Sequence, residues 1–275
     1  MDSSPDWIPA DLDLSKASSA RVYDYYLGGV HNFPVDRELA RKVLRLHPAA
    51  ASNAKANRAF LNRTVRFLLA QGVRQFVDLG AGIPTAGNVH ETVAREDPAS
   101  RVLYVDRDPI AVTHSQLILG RNPNAKVLRA DLRRPKGILE SAPFHDLIDL
   151  SQPVAVLMVA VLHFVSEADH PEQVIGEFHD VVAPGSHLVI SHSLSDALPA
   201  GAEQAKALFK TSATDQVTTR SRTRILELLS GWDLVEPGLV PVPDWRPDPR
   251  PVWAADEAES EATKSFVVGA VARRA

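Results

Sequence analysis

The 275-residue chain has no cysteine. Disulfides, thiolate zinc sites and cysteine nucleophiles are excluded together, and the composition fits a protein kept in a reducing cytoplasm. The chain also lacks a dominant charge. With 30 Lys and Arg against 34 Asp and Glu, the formal charge is -4, so no global field draws it to nucleic acid or to an anionic membrane. The longest apolar run, Pro153 to Leu162, is too short to span a bilayer and suits a strand buried on both faces. The opening MDSSPDWIPADLDL is acidic and polar, unlike a secretory signal. A Gly-x-Ser-x-Gly elbow is missing, so Ser191-His192-Ser193 near Asp196 reads as a turn rather than as hydrolase machinery. No residue spacing suits a metal. Arg133-Arg134-Pro135-Lys136 is a short basic cluster that reads as a solvated helix start.

What is present is an alternation. Strand-like runs occur at Arg74–Leu79, Arg101–Asp106, Lys126–Ala130, Pro153–Ala160 and His187–Ser191. Helical patterns separate them, at Thr85–Arg95, Pro109–Leu119 and Pro171–Val182, with Pro109 and Pro171 suited to first helical turns. This order predicts an α/β fold with a mostly parallel sheet covered on both faces. Lys55–Gln71 predicts a helix that packs on the sheet and stops at Gly72. Ala202–Lys210 and Ser221–Ser230 read as helices, and Trp232–Val235 and Phe266–Ala272 as two late strands. A Pro-rich, acidic connection lies between those strands, and Trp245-Arg246-Pro247 within it is expected either to wall off a pocket or to pin the loop. One domain is expected, with an N-terminal extension (1–54) ahead of the ligand-binding part (55–275).

The chemical signal is a glycine loop. Phe76-Val77-Asp78-Leu79 runs into Gly80-Ala81-Gly82-Ile83-Pro84-Thr85, the strand–turn–helix junction where open α/β sheets bind nucleotide-like ligands. Asp106 ends the next strand, near the spacing expected of a carboxylate that holds ribose hydroxyls. A dinucleotide pyrophosphate needs backbone N–H groups and no adjacent carboxylate. Pro84 removes an N–H where a third glycine would stand, and Asp78 adds a negative charge. A phosphate-free, cationic adenosyl ligand fits better. S-adenosyl-L-methionine (SAM) is such a ligand, with Asp78 for its ammonium, Asp106 and the adjoining Arg107 beside its ribose, and Asp131-Leu132 at the third strand for the adenine amine. For each carboxylate alone, capping the following loop is the simpler reading.

The motifs DLGAG, YVDRDP, ADL and AVLHFV resemble, in order, those of class I SAM-dependent methyltransferases. ARVYDYYLGGVHNFPVDRELA, NRAF, QFVDLGAGIPTAGNVHE, VLYVDRDPIAV and EPGLVPVPDWRPD narrow the resemblance. They are similar almost end to end to an actinobacterial S-adenosyl methyltransferase family once classed as a domain of unknown function. The resemblance implies a Rossmann-like, seven-stranded sheet with an antiparallel last strand, SAM as cofactor, and Val159-Ala160 at the fourth strand touching it. It names no acceptor.

In related enzymes, segments before the first strand cover the cofactor. Arg21–Phe33 is expected to do so here, with Gly28-Gly29 as the turn, Tyr23 and Phe33 beside the cofactor and Arg21 on its carboxylate. The alternative is an ordinary amphipathic helix packed through Val22, Tyr26 and Leu27. His163 and His31 are the candidate bases, with His192 a weaker one. The function expected is methyl transfer to a small-molecule acceptor, neither nucleic acid nor membrane. A SAM-binding protein without transferase activity is the second reading. A nicotinamide oxidoreductase is the third, disfavoured by Asp78, Pro84 and the lack of a Tyr-x-x-x-Lys pair.

Overall fold

The five runs of β-branched and aliphatic residues form parallel strands β1 (Gln75–Leu79), β2 (Arg101–Asp106), β3 (Ala125–Arg129), β4 (Val154–Met158) and β5 (His187–Ser193). The computed structural model describes residues 15–84, 87–196, 198–248 and 266–275. Beyond β5, the short β6 (Asp233–Leu234) and β7 (Val240–Pro241) both pair with β8 (Val267–Arg273). β8 runs antiparallel to β5 over seven residues, from His187↔Arg273 to Ser193↔Val267. The sheet order is β3-β2-β1-β4-β5-β8-β6, with β7 also on β8.

The antiparallel last strand agrees with expectation, but among the described residues the sheet has eight strands rather than seven. The run expected at Trp232–Val235 yields only two paired residues, and a second two-residue piece joins after Pro237 and Gly238. Proline supplies no ladder N–H and confines such pieces to the sheet edge. The sequence Ser191-His192-Ser193, read as a turn, instead continues β5, where all seven residues are buried.

The helices are α1 (Ser19–Tyr26), α2 (Pro34–Leu46), α3 (Ala50–Ala70), α4 (Val89–Glu96), α5 (Pro109–Leu119), α6 (Pro135–Leu139), α7 (Ala142–Leu147), α8 (Pro171–Val181), α9 (Ala202–Ser212) and α10 (Arg222–Leu228). The expected helix at Thr85–Arg95 begins only at Val89, and Thr85 itself lies outside the described residues. Strand alternation divides the core. Val77, Leu79 and Val156 pack with Ile138, Phe144 and Phe178 on one face. Phe76, Tyr104 and Leu157 pack with Phe60 and Leu68 of α3 on the other. Asp78 and Asp106 share parity with Phe76 and Tyr104, so both carboxylates lie on the α3 face. Trp245 is fully buried there, edge-on to Phe60 and Phe67, and Arg63 donates to the carbonyls of Trp245 and Val242. Its role is to pin the late loop against α3. None of the described helices is long and apolar enough to cross a membrane.

A third, smaller cluster joins α1, α2 and α9 through Ala17, Val22, Leu39, Val43 and Ala205. Backbone bonds from Ala17 N to Ser212 O (3.1 Å) and Thr214 N to Ala17 O (3.0 Å) tie the start of α1 to the end of α9. This layer sits over the carboxyl ends of the strands.

Candidate active site

The glycine loop turns directly off β1. Gly80 N and Ala81 N both donate to Val105 O, at 2.8 and 3.2 Å, fastening the turn to β2. Gly80 has φ +69°, and a Cβ there would lie 2.2 Å from Val161 Cγ2, so both conformation and space demand glycine. Ala160, after β4, is also left-handed at φ +58°. Its N–H is held by Ser191 Oγ at 2.8 Å, which secures an otherwise costly backbone. These two constrained turns border a cavity of about 550 Å³ between the sheet and the α1–α2–α9 layer.

Asp78, Gly80, Ala81, Gly82, Asp106, Arg107, Asp131, Leu132, Val159, Ala160 and His163 all line the cavity, as do Arg21 and Tyr23 of α1. Three expected residues do not. Pro84 is outside the lining. Phe33 packs on Ile83, Ile110 and Ala111, with the Arg21 guanidinium 5.4 Å above its ring. His31 stacks on His114 with ring centroids 4.2 Å apart, and its N–H donates to Asp24 Oδ2 at 2.9 Å.

The three carboxylates differ. Asp106 accepts from Gly82 N at 2.7 Å and Asp108 N at 2.8 Å, so it braces the loop, while burial pushes its pKa up to about 6. Asp131 is clasped by Arg133 through its backbone N–H and guanidinium, and these contacts hold its pKa down. Asp78 is 5% exposed, and its side chain has no hydrogen bond or ion pair among the described residues. Burial pushes its pKa up to about 7, with Asp106 adding to the rise and Arg58 opposing it. A cap would be hydrogen-bonded. Asp78 is a buried carboxyl that caps nothing among the described residues, an arrangement that is costly when the group is ionised.

Of the segment expected as a lid, Arg21–Phe33, the first six residues lie in α1 and the rest in the loop that leads to α2. Ser18 ahead of α1, and Ser19, Arg21, Tyr23 and Tyr26 in it, line the cavity, while Val22 is buried in the α1–α2–α9 core at the cavity's edge. Gly28, at φ +80°, ends the helix, and a Cβ on Gly29 would strike the Asp24 carboxylate. The layer is fastened by charge. Arg21 Nε donates to Asp36 Oδ2 at 2.9 Å, Nη2 donates to Lys16 O, and Nη1 lies 3.6 Å from Asp108. Ser18 Oγ bonds Asp108, Ser19 Oγ bonds Asp215 at 2.6 Å, and Asp215 pairs with Arg107. Tyr23 Oη donates to Ala54 O at 3.0 Å and accepts from Asn57 Nδ2 at 3.1 Å.

His163 sits on the short turn after β4. Burial, the neighbouring His192 and the Arg220 cation push its pKa down to about 3, so the ring is neutral in the physiological range. Its Nδ1 is buried without a partner. His192 is turned to Arg220, whose Nη1 lies 2.7 Å from its Nε2.

Sequence reasoning missed Asn57, Arg58, Asp108 and Asp215. Asp108 carried a signal, an N-cap carboxylate just before Pro109, and it accepts from Ile110 N at 2.8 Å. Asn57 and Arg58 open the NRAF motif. Asp215 meets Ser19 across 196 residues, which no local pattern reveals.

A glycine turn after β1, carboxylates ending β1 and β2, and an antiparallel β8 inserted beside β5 define a class I SAM-dependent methyltransferase fold. The chain belongs to the S-adenosyl methyltransferase family, whose sequence profile matches residues 5–275. It is a SAM-dependent methyltransferase with SAM as its cofactor. A crystal structure of a Thermobifida fusca protein described as a candidate methyltransferase is 35% identical, with TM-score 0.89, covering 98% of this chain and 99% of that one. A DUF574 family protein from Streptomyces avermitilis is also 35% identical, with TM-score 0.87, covering 94% and 98%. The mitomycin 7-O-methyltransferase MmcR, at 17% identity and TM-score 0.51 over 93% of this chain and 68% of its own, shares the fold. No curated protein sequence matches the chain.

Proposed function

We propose that this methyltransferase acts on a small, largely apolar acceptor, in a chamber that α1 and α2 of the N-terminal extension roof over. The observation that carries this reading is that the cavity's lining extends from the carboxylates to the α1–α2–α9 layer. Besides Val159 and His163 it includes Tyr26, Val43, Ala205, Phe209 and Phe266. A binding site for the cofactor alone needs no such extension, which favours transfer over sensing. Of the cations bordering the cavity, Arg107, Arg133 and Lys206 are each paired with a carboxylate, and the chain's formal charge is -4, which leaves little to attract nucleic acid or anionic lipid. The absence of cysteine supports a cytoplasmic location.

Bound SAM supplies an electrophilic methyl group on a sulfonium. In this reading Asp78 takes its ammonium, Asp106 its ribose hydroxyls and Asp131 the adenine amine, with Gly80–Gly82, Leu132, Val159 and Ala160 shaping the walls. The protein's main contribution is then to hold the nucleophile in line, which is worth much of the barrier. Neutral His163, which lines the cavity, hydrogen-bonds the acceptor's O–H or N–H through its ring and so aims it. With its pKa so low it holds a proton poorly and serves as a positioning group more than a base. His31, turned away beside His114, would need a rearrangement of the 28–33 loop to take part.

The test is transfer of labelled methyl from SAM to panels of phenols and nitrogen heterocycles, and separately to RNA, DNA and protein. Label should pass to solvent-extractable small molecules. Label found only in macromolecules would overturn the reading.

A further inference from the structure

The cofactor's methionine end carries two opposite charges on one carbon, an ammonium and a carboxylate. Asp78 matches only the first. The cations lining the cavity differ in how fully they are already used. Arg21 spends its guanidinium on Asp36, Asp108 and the Lys16 carbonyl. Arg107 is paired with Asp215, Arg133 with Asp131, and Lys206 with Glu203, and Arg129, also in the lining, has an interaction of its own.

Arg58 is different. It lines the cavity from α3 and forms no ion pair with any described residue, Asp78 included. Its Nε is buried and without a hydrogen-bond partner. Its guanidinium rests 5.9 Å from the centre of the Tyr23 ring, which places it between the roof helix and the sheet. Asp78 faces the same side, because it alternates with Val77 and Leu79, which pack on the opposite face. A half-buried guanidinium whose Nε is enclosed and a buried carboxylate, both lining one cavity and not joined to each other, are complementary to a zwitterionic α-amino acid group set between them.

Asn57, the preceding residue, adds to the site. Tyr23 has one hydroxyl proton, and it goes to Ala54 O, so Tyr23 must accept from the Asn57 amide. That fixes the amide orientation and leaves Asn57 Oδ1 buried and unpartnered, with the residue only 4% exposed. It is an acceptor suited to an ammonium N–H.

We infer that Arg58, rather than Arg21, receives the carboxylate of the cofactor's methionine end, with Asp78 and Asn57 Oδ1 receiving its ammonium. The inference rests on the cofactor site read above and deepens it. It makes the first two residues of the NRAF motif recognition groups, and it makes the N-terminal half of α3 a reader of the amino-acid head rather than only a packing helix.

The test uses two ligands that share the adenosine but differ in the head: S-adenosylhomocysteine, which has the amino-acid group, and 5′-methylthioadenosine, which lacks it. Calorimetric affinities are measured for the full-length wild type, Arg58→Met and Arg58→Lys, with thermal melting as a check on folding. Arg58→Met should weaken S-adenosylhomocysteine roughly 10- to 100-fold, the loss expected of a charge-assisted pair, and change 5′-methylthioadenosine by less than about threefold. Arg58→Lys should fall between, since it keeps the charge but not the fork, and it carries the test if the Met variant does not fold. Equal losses for both ligands, or no loss for either, would overturn the Arg58 assignment. If neither ligand binds the wild type, the cofactor site itself is misplaced, an outcome distinct from failure of Arg58 alone.

Discussion

Asp78 and Asp106 end adjacent strands on the same face of the sheet, both are buried, and neither is paired with a cation among the described residues. Such an arrangement disfavours ionising both carboxyls. Asp78 is faced by Arg58 from α3 and by Asp106 and Tyr104 from β2, and its pKa is lifted to about 7. Because the folded state holds this proton more tightly than the unfolded chain, the stability from this group is greatest at low pH. It declines as pH rises from the ordinary carboxylate range toward about 7. A ligand ammonium reverses the preference. Binding of S-adenosylhomocysteine should therefore release a proton and tighten by up to about tenfold per pH unit below about pH 7. Calorimetry in buffers of different ionisation heat reads both effects, and an affinity that is flat from about pH 6 to 8 would remove Asp78 from the ammonium site.

The two glycines of the loop should respond unequally to alanine. Both have positive φ, +69° at Gly80 and +68° at Gly82, a cost of about 1–2 kcal/mol for any Cβ. At Gly82 nothing protein-borne lies within 4 Å of the added methyl, whereas at Gly80 it would overlap Val161. Gly80→Ala should thus lose stability well beyond the backbone cost, by about 1–3 kcal/mol more, and should displace the turn that carries Ala160. Denaturant melts of the two variants settle the order. Equal losses would mean that Val161 moves aside freely.

His163→Ala should lower turnover while leaving the affinity for S-adenosylhomocysteine near that of the wild type. A general base contributes typically 10²–10⁴-fold, and a positioning group less, so a loss of about 10- to 100-fold is expected. Because its pKa is pushed down to about 3 by burial, His192 and Arg220, the wild-type rate should show no histidine inflection between about pH 5 and 8. A break near pH 6.5 that disappears in the variant would show that the occupied site restores its basicity.

Much of this architecture is legible in the sequence, because local signals and tertiary demands agree. Pro109 and Pro171 start their helices, and Asp106 closes β2 at the predicted residue. DLGAG predicts a tight turn, and Gly80 needs one for two separate reasons. What eludes the sequence depends on distance along the chain. Arg21 is legible as a cation in the right region, but its partner Asp36 belongs to the next helix. Asp215 reaches Ser19 from the far side of α9. The strand expected at Trp232–Val235 stays short because Pro237, just beyond it, supplies no ladder N–H to extend it. His163 and His31 look alike in sequence, and only the fold turns one into the cavity and the other toward His114.

Arg21 and Asp36 form the most enclosed ion pair of the roof, 2.9 Å apart with side chains 1% and 0% exposed. Breaking such a pair from one side leaves a buried charge and costs about 3–5 kcal/mol. Arg21→Ala should therefore lower the melting temperature and loosen the α1–α2–α9 layer, rather than act as a pure loss of ligand contact. Asp36 also accepts from Ser18 N at 3.0 Å and Phe33 N at 2.8 Å, so its removal frees the ends of both α1 and α2. The double variant Arg21→Met, Asp36→Leu removes both charges and fills the space, and should be less destabilised than the two single losses summed. A double-mutant cycle on melting, with hydrogen exchange of Val22 and Leu39 as a local reporter, tests this. If Arg21→Ala melts like the wild type while S-adenosylhomocysteine affinity falls more than about tenfold, Arg21 touches the ligand after all, and its pairing with Asp36 must open when the site fills.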